Sequence, residues 1–143
     1  MTTCVLDASV AAKWFLPSAQ ETLREEAFRL LEGYATGHTQ FLVPDLFWPE
    51  FGNILWKALR LGRISRQSAE AAVVAIEERK IPTAPSSSLL KDALAIAATF
   101  DRTVYDCVYV ALAVAEDAPL VTADERLVKA LGTRFPVRWL GSL

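Results

Sequence analysis

Short apolar runs alternate with longer amphipathic segments along the whole chain. The apolar runs cover residues 4–6, 41–43, 119–122 and 137–140, and a weaker run broken by prolines covers 81–84. Runs of this length, bounded by acids, prolines or glycines, are typical of buried strands. Because helical segments separate the runs, the pattern predicts a parallel sheet with helices on both of its faces.

Seven segments have the spacing of helices, and local signals mark their ends. Ser9 is the expected N-cap of the first helix, and Pro17 ends it. Pro49 is compatible only with the first turn of a long helix that ends at Gly62. The segment that follows Asp106 is almost wholly apolar, so we expect it to be buried. The predicted helices cover residues 10–16, 21–31, 46–61, 66–79, 88–100, 107–115 and 125–131.

The composition is that of one folded domain covering residues 1–143. Hydrophobic residues make up 52% and charged residues 22% of the chain, which excludes an intrinsically disordered protein. The 15 lysines and arginines against 17 aspartates and glutamates give a net charge of −2. Nucleic acid would therefore not be bound by bulk positive charge, but only through local basic patches or a metal site.

The two cysteines and the N-terminal segment indicate the compartment. Cys4 and Cys107 lie in apolar runs, so we expect buried free thiols in a reducing environment. The first residues carry no basic segment, and Asp7 interrupts their apolar stretch, which argues against a signal peptide. No run approaches the roughly 18–20 apolar residues of a membrane span. A cytoplasmic protein without a membrane partner is expected.

Four carboxylates occupy positions that a parallel sheet brings together. Asp7 follows the first apolar run and Asp124 follows the 119–122 run. Glu50 and Asp106 fall in the first turns of two predicted helices. Helix capping or the helix dipole explains each of them singly. Sites in parallel sheets form outside the carboxyl ends of the strands, however, so all four can converge at one edge.

Carboxylates crowded beside apolar segments indicate a cation. Their mutual repulsion is costly unless a positive charge neutralises it. An all-oxygen site suits a hard divalent ion, and His38, the single histidine, lies in a loop where we expect a surface position. We therefore expect Mg²⁺ or Mn²⁺ rather than zinc. Such an ion activates water and neutralises phosphoryl charge, so a phosphodiester is the expected substrate.

Four motifs in order resemble those of the PIN-domain ribonucleases, and more closely the VapC-type toxins of toxin–antitoxin pairs. They are Val-Leu-Asp-Ala-Ser at 5–9, Pro49-Glu50 with Asn53, Tyr-Asp-Cys-Val-Tyr-Val-Ala-Leu-Ala at 105–113, and Leu-Val-Thr-Ala-Asp at 120–124. Each motif alone is weak, but four in this order are highly specific. The resemblance extends from about residue 4 to residue 140.

The resemblance implies both a fold and an activity. The fold is a three-layer α/β/α sandwich around a mostly parallel sheet of about five strands. The activity is that of a Mg²⁺- or Mn²⁺-dependent endoribonuclease held in check by a cognate VapB-like antitoxin, in a homodimer and a toxin–antitoxin hetero-oligomer. The implied metal-binding and catalytic residues are Asp7, Glu50, Asp106 and Asp124, and the implied supporting residues are Ser9, Asn53 and Thr122.

Basic and aromatic side chains supply further candidates. The basic ones are candidate contacts to RNA phosphates, although solvated helix faces or the C-terminal ends of helices would explain them equally well. A groove lined by three tryptophans and the 21–31 helix is predicted to accept an amphipathic antitoxin helix, and base stacking is the competing use of an exposed tryptophan. The basic residues are Lys13, Arg60, Arg63, Arg102 and Arg126, and the tryptophans are Trp14, Trp48 and Trp56.

Two other functions remain open from the sequence. One is a PIN-like nuclease of RNA processing that acts outside a toxin pair. The other is a non-catalytic binding module that uses the same fold, against which the intact set of carboxylates argues.

Overall fold

Five parallel strands form the centre of the protein. The computed structural model describes residues 2–143, apart from the side chain of Gln20. The sheet has the order β3-β2-β1-β4-β5, and every neighbouring pair is parallel. The predicted parallel sheet of about five strands is therefore confirmed. The strands are β1 (Thr2–Leu6), β2 (Thr39–Pro44), β3 (Thr83–Ala84), β4 (Leu120–Thr122) and β5 (Val137–Trp139).

Seven α-helices connect the described strands, as the periodicity predicts. Gly62 adopts the left-handed conformation, with φ of 72°, just past the end of α3, where the sequence placed the end of that helix. None of the helices within residues 2–143 is long and apolar enough to cross a membrane. The helices are α1 (Ala8–Ala12), α2 (Arg24–Ala35), α3 (Phe47–Arg60), α4 (Arg66–Glu78), α5 (Leu90–Phe100), α6 (Val104–Ala115) and α7 (Glu125–Leu131).

The cap of α1 differs from the prediction. The helix begins at Ala8, and its N-cap is Asp7, whose Oδ1 accepts the backbone N–H of Ser9 at 3.4 Å. The Ser9 hydroxyl instead accepts the N–H of Ala123, which follows β4. Asp7 is the N-cap because its backbone, directly after β1, has the extended conformation that an N-cap needs.

Helix α2 starts and ends later than the predicted 21–31 segment. Leu23, with φ of 56°, delays its start, and Gly33 lies inside the helix rather than beyond it. A Cβ on Gly33 would stand 2.8 Å from Oγ1 of Thr39. The glycine is therefore a point of close approach between α2 and β2, which local sequence signals do not reveal.

Helix α6 packs against the sheet and the neighbouring helices on every side. Seven consecutive residues, from Cys107 to Ala113, are buried, as its apolar composition predicts. Thr103 is its N-cap and accepts the N–H of Asp106, which places that acid in the first turn. Cys4 and Cys107 are buried free thiols, also as predicted. A largely buried helix therefore carries an acid in its first turn.

Aromatic rings form a stack between α1, β2 and α2. The ring of Phe41 is 4.7 Å from that of Tyr34 and 5.8 Å from that of Trp14, centroid to centroid. The indole N–H of Trp14 donates to the carbonyl of Ala27 at 2.8 Å. Trp14 is buried, so the prediction that it lines an open groove is wrong: a tryptophan with a satisfied N–H serves the core here.

Removing the ring at the centre of this stack tests its weight. Phe41→Ala should lower the free energy of unfolding by about 3–5 kcal/mol, because it leaves a cavity between two rings. Trp56→Ala removes a half-exposed ring and should cost less than about 1 kcal/mol. Guanidinium unfolding of both variants measures the difference. Equal losses would contradict the placement of Phe41 in the core.

Candidate active site

A cleft of about 510 Å³ opens at the carboxyl ends of β1 and β4. Neighbouring parallel strands end at the same edge, and two helices begin there, so their first turns face the same space. The structure therefore brings the four predicted acids into one cleft, together with two of the predicted supporting residues. These lining residues are Asp7, Glu50, Asp106, Asp124, Ser9 and Asn53.

Thr122 ties two of the acids together from below the cleft. Its hydroxyl donates to Oδ2 of Asp7 at 2.6 Å and accepts the backbone N–H of Asp124 at 3.0 Å. The residue is fully buried at the end of β4. Asp124 in turn is the N-cap of α7 and accepts the N–H groups of Arg126 and Leu127. Thr122 is therefore more than an ordinary strand residue, because it sets the position of Asp7 relative to Asp124.

Glu50 is held by a residue that the sequence analysis did not single out. The buried phenol of Tyr109 donates to Oε1 of Glu50 at 2.7 Å. Tyr109 lies three residues after Asp106, so both face the same side of α6. A tyrosine within an otherwise apolar buried helix needs a partner for its hydroxyl, and that signal could have identified it.

Arg102 faces the acids. Its guanidinium Nη2 is 3.7 Å from Oδ2 of Asp106 and 3.9 Å from Oδ2 of Asp124. Its Nε is buried and has no hydrogen-bond partner within residues 2–143. In the conformation seen here the two carboxylates attract the charge of Arg102, and its predicted contact to RNA stays a prediction.

Burial and mutual repulsion change the protonation of three acids. Burial raises the pKa of Asp7, against the hydrogen bonds from Thr122 and Ser9, and the charge of Asp106 adds to the rise. Burial also raises the pKa of Glu50, opposed by the Tyr109 bond and reinforced by the charges of Asp7 and Asp106. The cleft therefore holds more negative charge than its surroundings neutralise.

Asp106 shows the same balance with a positive neighbour. Burial raises the pKa of Asp106, the guanidinium of Arg102 lowers it, and the charge of Asp124 raises it. A second cation in the cleft would favour the charged forms of all these acids.

The side chains present suit a hard divalent cation. All the candidate ligands are oxygens, and burial with like-charge repulsion disfavours leaving them ionised without a counter-charge. Within residues 2–143, no group of three histidine, cysteine, aspartate or glutamate side chains is already assembled as a metal shell. His38 precedes β2, at the opposite edge of the sheet, where its Nδ1 is 2.9 Å from the Thr36 hydroxyl.

The remaining basic candidates divide between the cleft and other surfaces. Lys13 is buried in an ion pair with Glu21 at 3.2 Å, so the prediction that it contacts RNA is wrong for this conformation. The guanidinium of Arg60 lies 4.9 Å above the ring of Trp56, and Arg60 is not among the residues that line the cleft. Arg126 is exposed beside Asp124.

A side groove continues from the cleft along α1 and α3. Lys57 lines both spaces, and the exposed Arg63 lines the side groove. The position of Lys57 one turn after Asn53 places it on the same face of α3. The apolar part of the side groove is formed by Leu16, Ile54, Ala58 and Leu61.

The predicted tryptophan groove is not formed. Trp14 belongs to the core, and Trp48 is half-buried with its indole N–H donating to the hydroxyl of Thr83 at 3.1 Å. Trp56 alone of the three is open to solvent, with 52% of its surface exposed. Spacing along a helix indicates which residues share a face, but not which neighbours cover that face.

Comparison with known proteins agrees with this fold. Residues 4–131 match the family model described as PIN domain. Ribonuclease VapC3 of Pyrobaculum aerophilum is 33% identical over 134 residues, which cover 92% of this chain and 94% of the relative.

Two solved structures support the fold alone, since their sequence identities are low. A crystal structure from Pyrobaculum aerophilum has a TM-score of 0.71 at 22% identity and covers 99% of this chain and 85% of that one. A toxin–antitoxin complex from Klebsiella pneumoniae has a TM-score of 0.60 at 15% identity and covers 94% of this chain and 95% of that one.

The parallel sheet, the cleft at its carboxyl edge and the matched residues define the class, and the chain belongs to the PIN-domain family. Within that family it is a ribonuclease of the VapC type, as its identity to VapC3 over nearly the full length of both chains indicates. The resemblance to VapC-type toxins inferred from the four motifs is therefore confirmed.

The raised pKa values of the acids make stability depend on pH. At pH values between the ordinary carboxylate pKa and the raised pKa values, the folded chain binds more protons than the unfolded chain when no divalent cation is present. The free energy of unfolding should therefore fall as the pH rises through this range. Asp7→Asn should make the decline shallower and raise the stability at pH 7 by about 0.5–2 kcal/mol.

Urea unfolding in EDTA, from about pH 4 to pH 8, measures this dependence. Asp92→Asn, which changes an exposed carboxylate on α5, serves as the matched control and should keep the slope of the unchanged protein. A steeper decline for Asp7→Asn would contradict the assignment of the raised pKa to burial of Asp7.

Proposed function

We propose that the cleft is the centre at which this chain cleaves RNA phosphodiester bonds. The observation that carries the proposal is the convergence of four carboxylates at one edge of the sheet, three of them with pKa values raised by burial. The ribonuclease relative supports RNA as the substrate. The exposed Lys57 and Arg126 beside the acids suit contacts to the flanking phosphates.

A divalent cation, Mg²⁺ or Mn²⁺, would be held by the four acids. Asp7 would supply oxygen donors from the end of β1 and Asp106 from the first turn of α6, while Glu50 and Asp124 complete the donors from α3 and the end of β4. When bound, the ion would neutralise phosphoryl charge and favour ionisation of water. Carboxylate oxygens suit both ions.

The chain's own residues would position the acids and accept the proton. Thr122 and the Ser9 amide hold both oxygens of Asp7, which leaves its orientation fixed. Tyr109 occupies Oε1 of Glu50, so Oε2 is available to accept a proton from an attacking water. No imidazole competes for this role, since the single histidine lies at the other edge of the sheet.

A VapB-like antitoxin is the proposed protein partner. The toxin–antitoxin complex from Klebsiella pneumoniae shares this fold, which supports the proposal. The side groove combines an apolar wall with Lys57 and Arg63, so it suits a segment with apolar and acidic side chains that would also cover the cleft. We further propose a homodimer, hetero-oligomers with the antitoxin, and action in the cytoplasm.

Loss of one acid should abolish cleavage without unfolding the chain. Asp106→Asn and Asp7→Asn should each lower Mg²⁺- or Mn²⁺-dependent RNA cleavage by at least ~100-fold, since loss even of an outer-shell partner of a metal ligand costs about 10–100-fold. A structured RNA pool, incubated with each purified variant and with EDTA, measures the effect. Circular dichroism should show an unchanged fold.

Asp92→Asn is the matched control and should cleave at the rate of the unchanged chain. Cleavage that persists equally in Asp7→Asn and Asp106→Asn would refute the assignment of the site. Cleavage that no co-expressed antitoxin inhibits would favour the RNA-processing nuclease. Absence of both cleavage and metal binding would favour the binding module.

Tyr109→Phe tests the orientation of Glu50. The change removes one hydroxyl and leaves the buried ring, so cleavage should fall by about 10-fold while Mn²⁺ affinity falls less. Cleavage rates and Mn²⁺ titration calorimetry separate the two effects. Tyr105→Phe, an exposed tyrosine at the cleft entrance, is the control, and an equal loss there would contradict a specific role for Tyr109.

A further inference from the structure

Arg102 lies in the short connection between α5 and α6. Asp101 ends α5 in the left-handed conformation, with φ of 56°, and Thr103 caps α6. The sharp turn leaves Arg102 beside the first turn of α6 and opposite the start of α7. Its side chain is 25% exposed and spans the gap between an acid from each helix start, Asp106 and Asp124.

The guanidinium is placed by charge rather than by well-formed hydrogen bonds. Its distances to the two carboxylates, 3.7 and 3.9 Å, exceed the 2.7–2.9 Å that is typical of charge-assisted N–H···O bonds. Its buried Nε finds no partner within residues 2–143. A cation held this loosely between two acids can be moved at small cost.

The same two carboxylates are those that the proposed metal site needs from α6 and from the end of β4. An arginine that bridges them reduces their repulsion when no ion is bound. Its positive charge also repels an incoming cation. The two cations therefore compete for Asp106 and Asp124.

We propose that Arg102 is a resident counter-charge of the cleft, which bridges Asp106 and Asp124 without metal and which a divalent cation must displace in order to bind them. The inference rests on the proposed metal site and deepens it. Arg102 acts through the carboxylates, so it is a positioning residue. Binding of the ion then replaces the single charge of the guanidinium with the two charges of the ion, and it releases Arg102 from Asp106 and Asp124.

Titration calorimetry with MnCl₂ on the purified chain tests the exchange. Arg102→Gln removes the charge but keeps a polar side chain, and it should bind Mn²⁺ about fivefold more tightly, the scale of one partly exposed ion pair. Arg126→Gln is the control. Arg126 lies two residues after Asp124, carries an equal charge and makes no ion pair within residues 2–143. It should change the affinity by less than about twofold.

Thermal unfolding in EDTA gives a second measurement that does not depend on activity. Arg102→Gln should lower the Tm by about 2–5 °C, because Asp106 and Asp124 then face each other without a counter-charge, and saturating Mn²⁺ should remove the difference. Arg102→Lys keeps the charge and should return both the Tm and the Mn²⁺ affinity toward those of the unchanged chain.

Three results would overturn the exchange. Equal or weaker Mn²⁺ binding by Arg102→Gln would mean that Arg102 does not compete with the ion. An equal gain in Arg126→Gln would mean that overall charge, not the bridge, sets the affinity. If neither the unchanged chain nor Arg102→Gln bound Mn²⁺, the metal site itself would fail, whereas failure of the exchange alone leaves Mn²⁺ binding by the unchanged chain intact.

Discussion

Repulsion among carboxylates at one edge of the sheet is the constraint around which the rest of the protein is arranged. The parallel topology places the ends of β1 and β4 side by side, so Asp7 and Asp124 are neighbours despite the repulsion between their charges. Leaving such acids ionised in a partly buried cleft destabilises the folded state. The surrounding residues offset that loss with hydrogen bonds from Thr122, Tyr109 and a backbone N–H, and with one guanidinium.

The fold is stabilised mainly by the buried apolar residues of α6 and the sheet. Residues Cys107–Ala113 are buried without interruption, and Val5 and Leu6, which precede Asp7 in β1, are fully buried. This makes α6 serve two purposes. Its apolar body packs the core, while Asp106 at its start and Tyr109 one turn later build the cleft. A change in the packing of this helix would therefore move two members of the site together.

The parts of this arrangement that a sequence can predict are those that depend on order along the chain. Strands followed by acids, and acids in first turns, locate the cleft because a parallel sheet leaves little choice about where strand ends meet. Contacts between distant segments are different. The burial of Trp14 depends on where α2 lies, the bond from Tyr109 to Glu50 crosses 59 residues, and Arg102 meets Asp124 only because α5, α6 and β4 converge. Local patterns describe one segment at a time, so they did not reveal that α2 covers Trp14 or that Lys13 pairs with Glu21.

The same electrostatics would couple the proposed binding of substrate and cation. An anionic backbone approaching four carboxylates is repelled at short range, and the exposed Lys57, Arg63 and Arg126 lie at the rim rather than among the acids. Their attraction acts over about the Debye length, ~8 Å at physiological salt, so it can guide a strand to the cleft but cannot cancel the charge inside it. Neutralisation must occur within the cleft itself. In the proposed exchange, a divalent ion would both remove that repulsion and free Arg102 to face a phosphate, so occupancy of the acids and affinity for RNA would rise together.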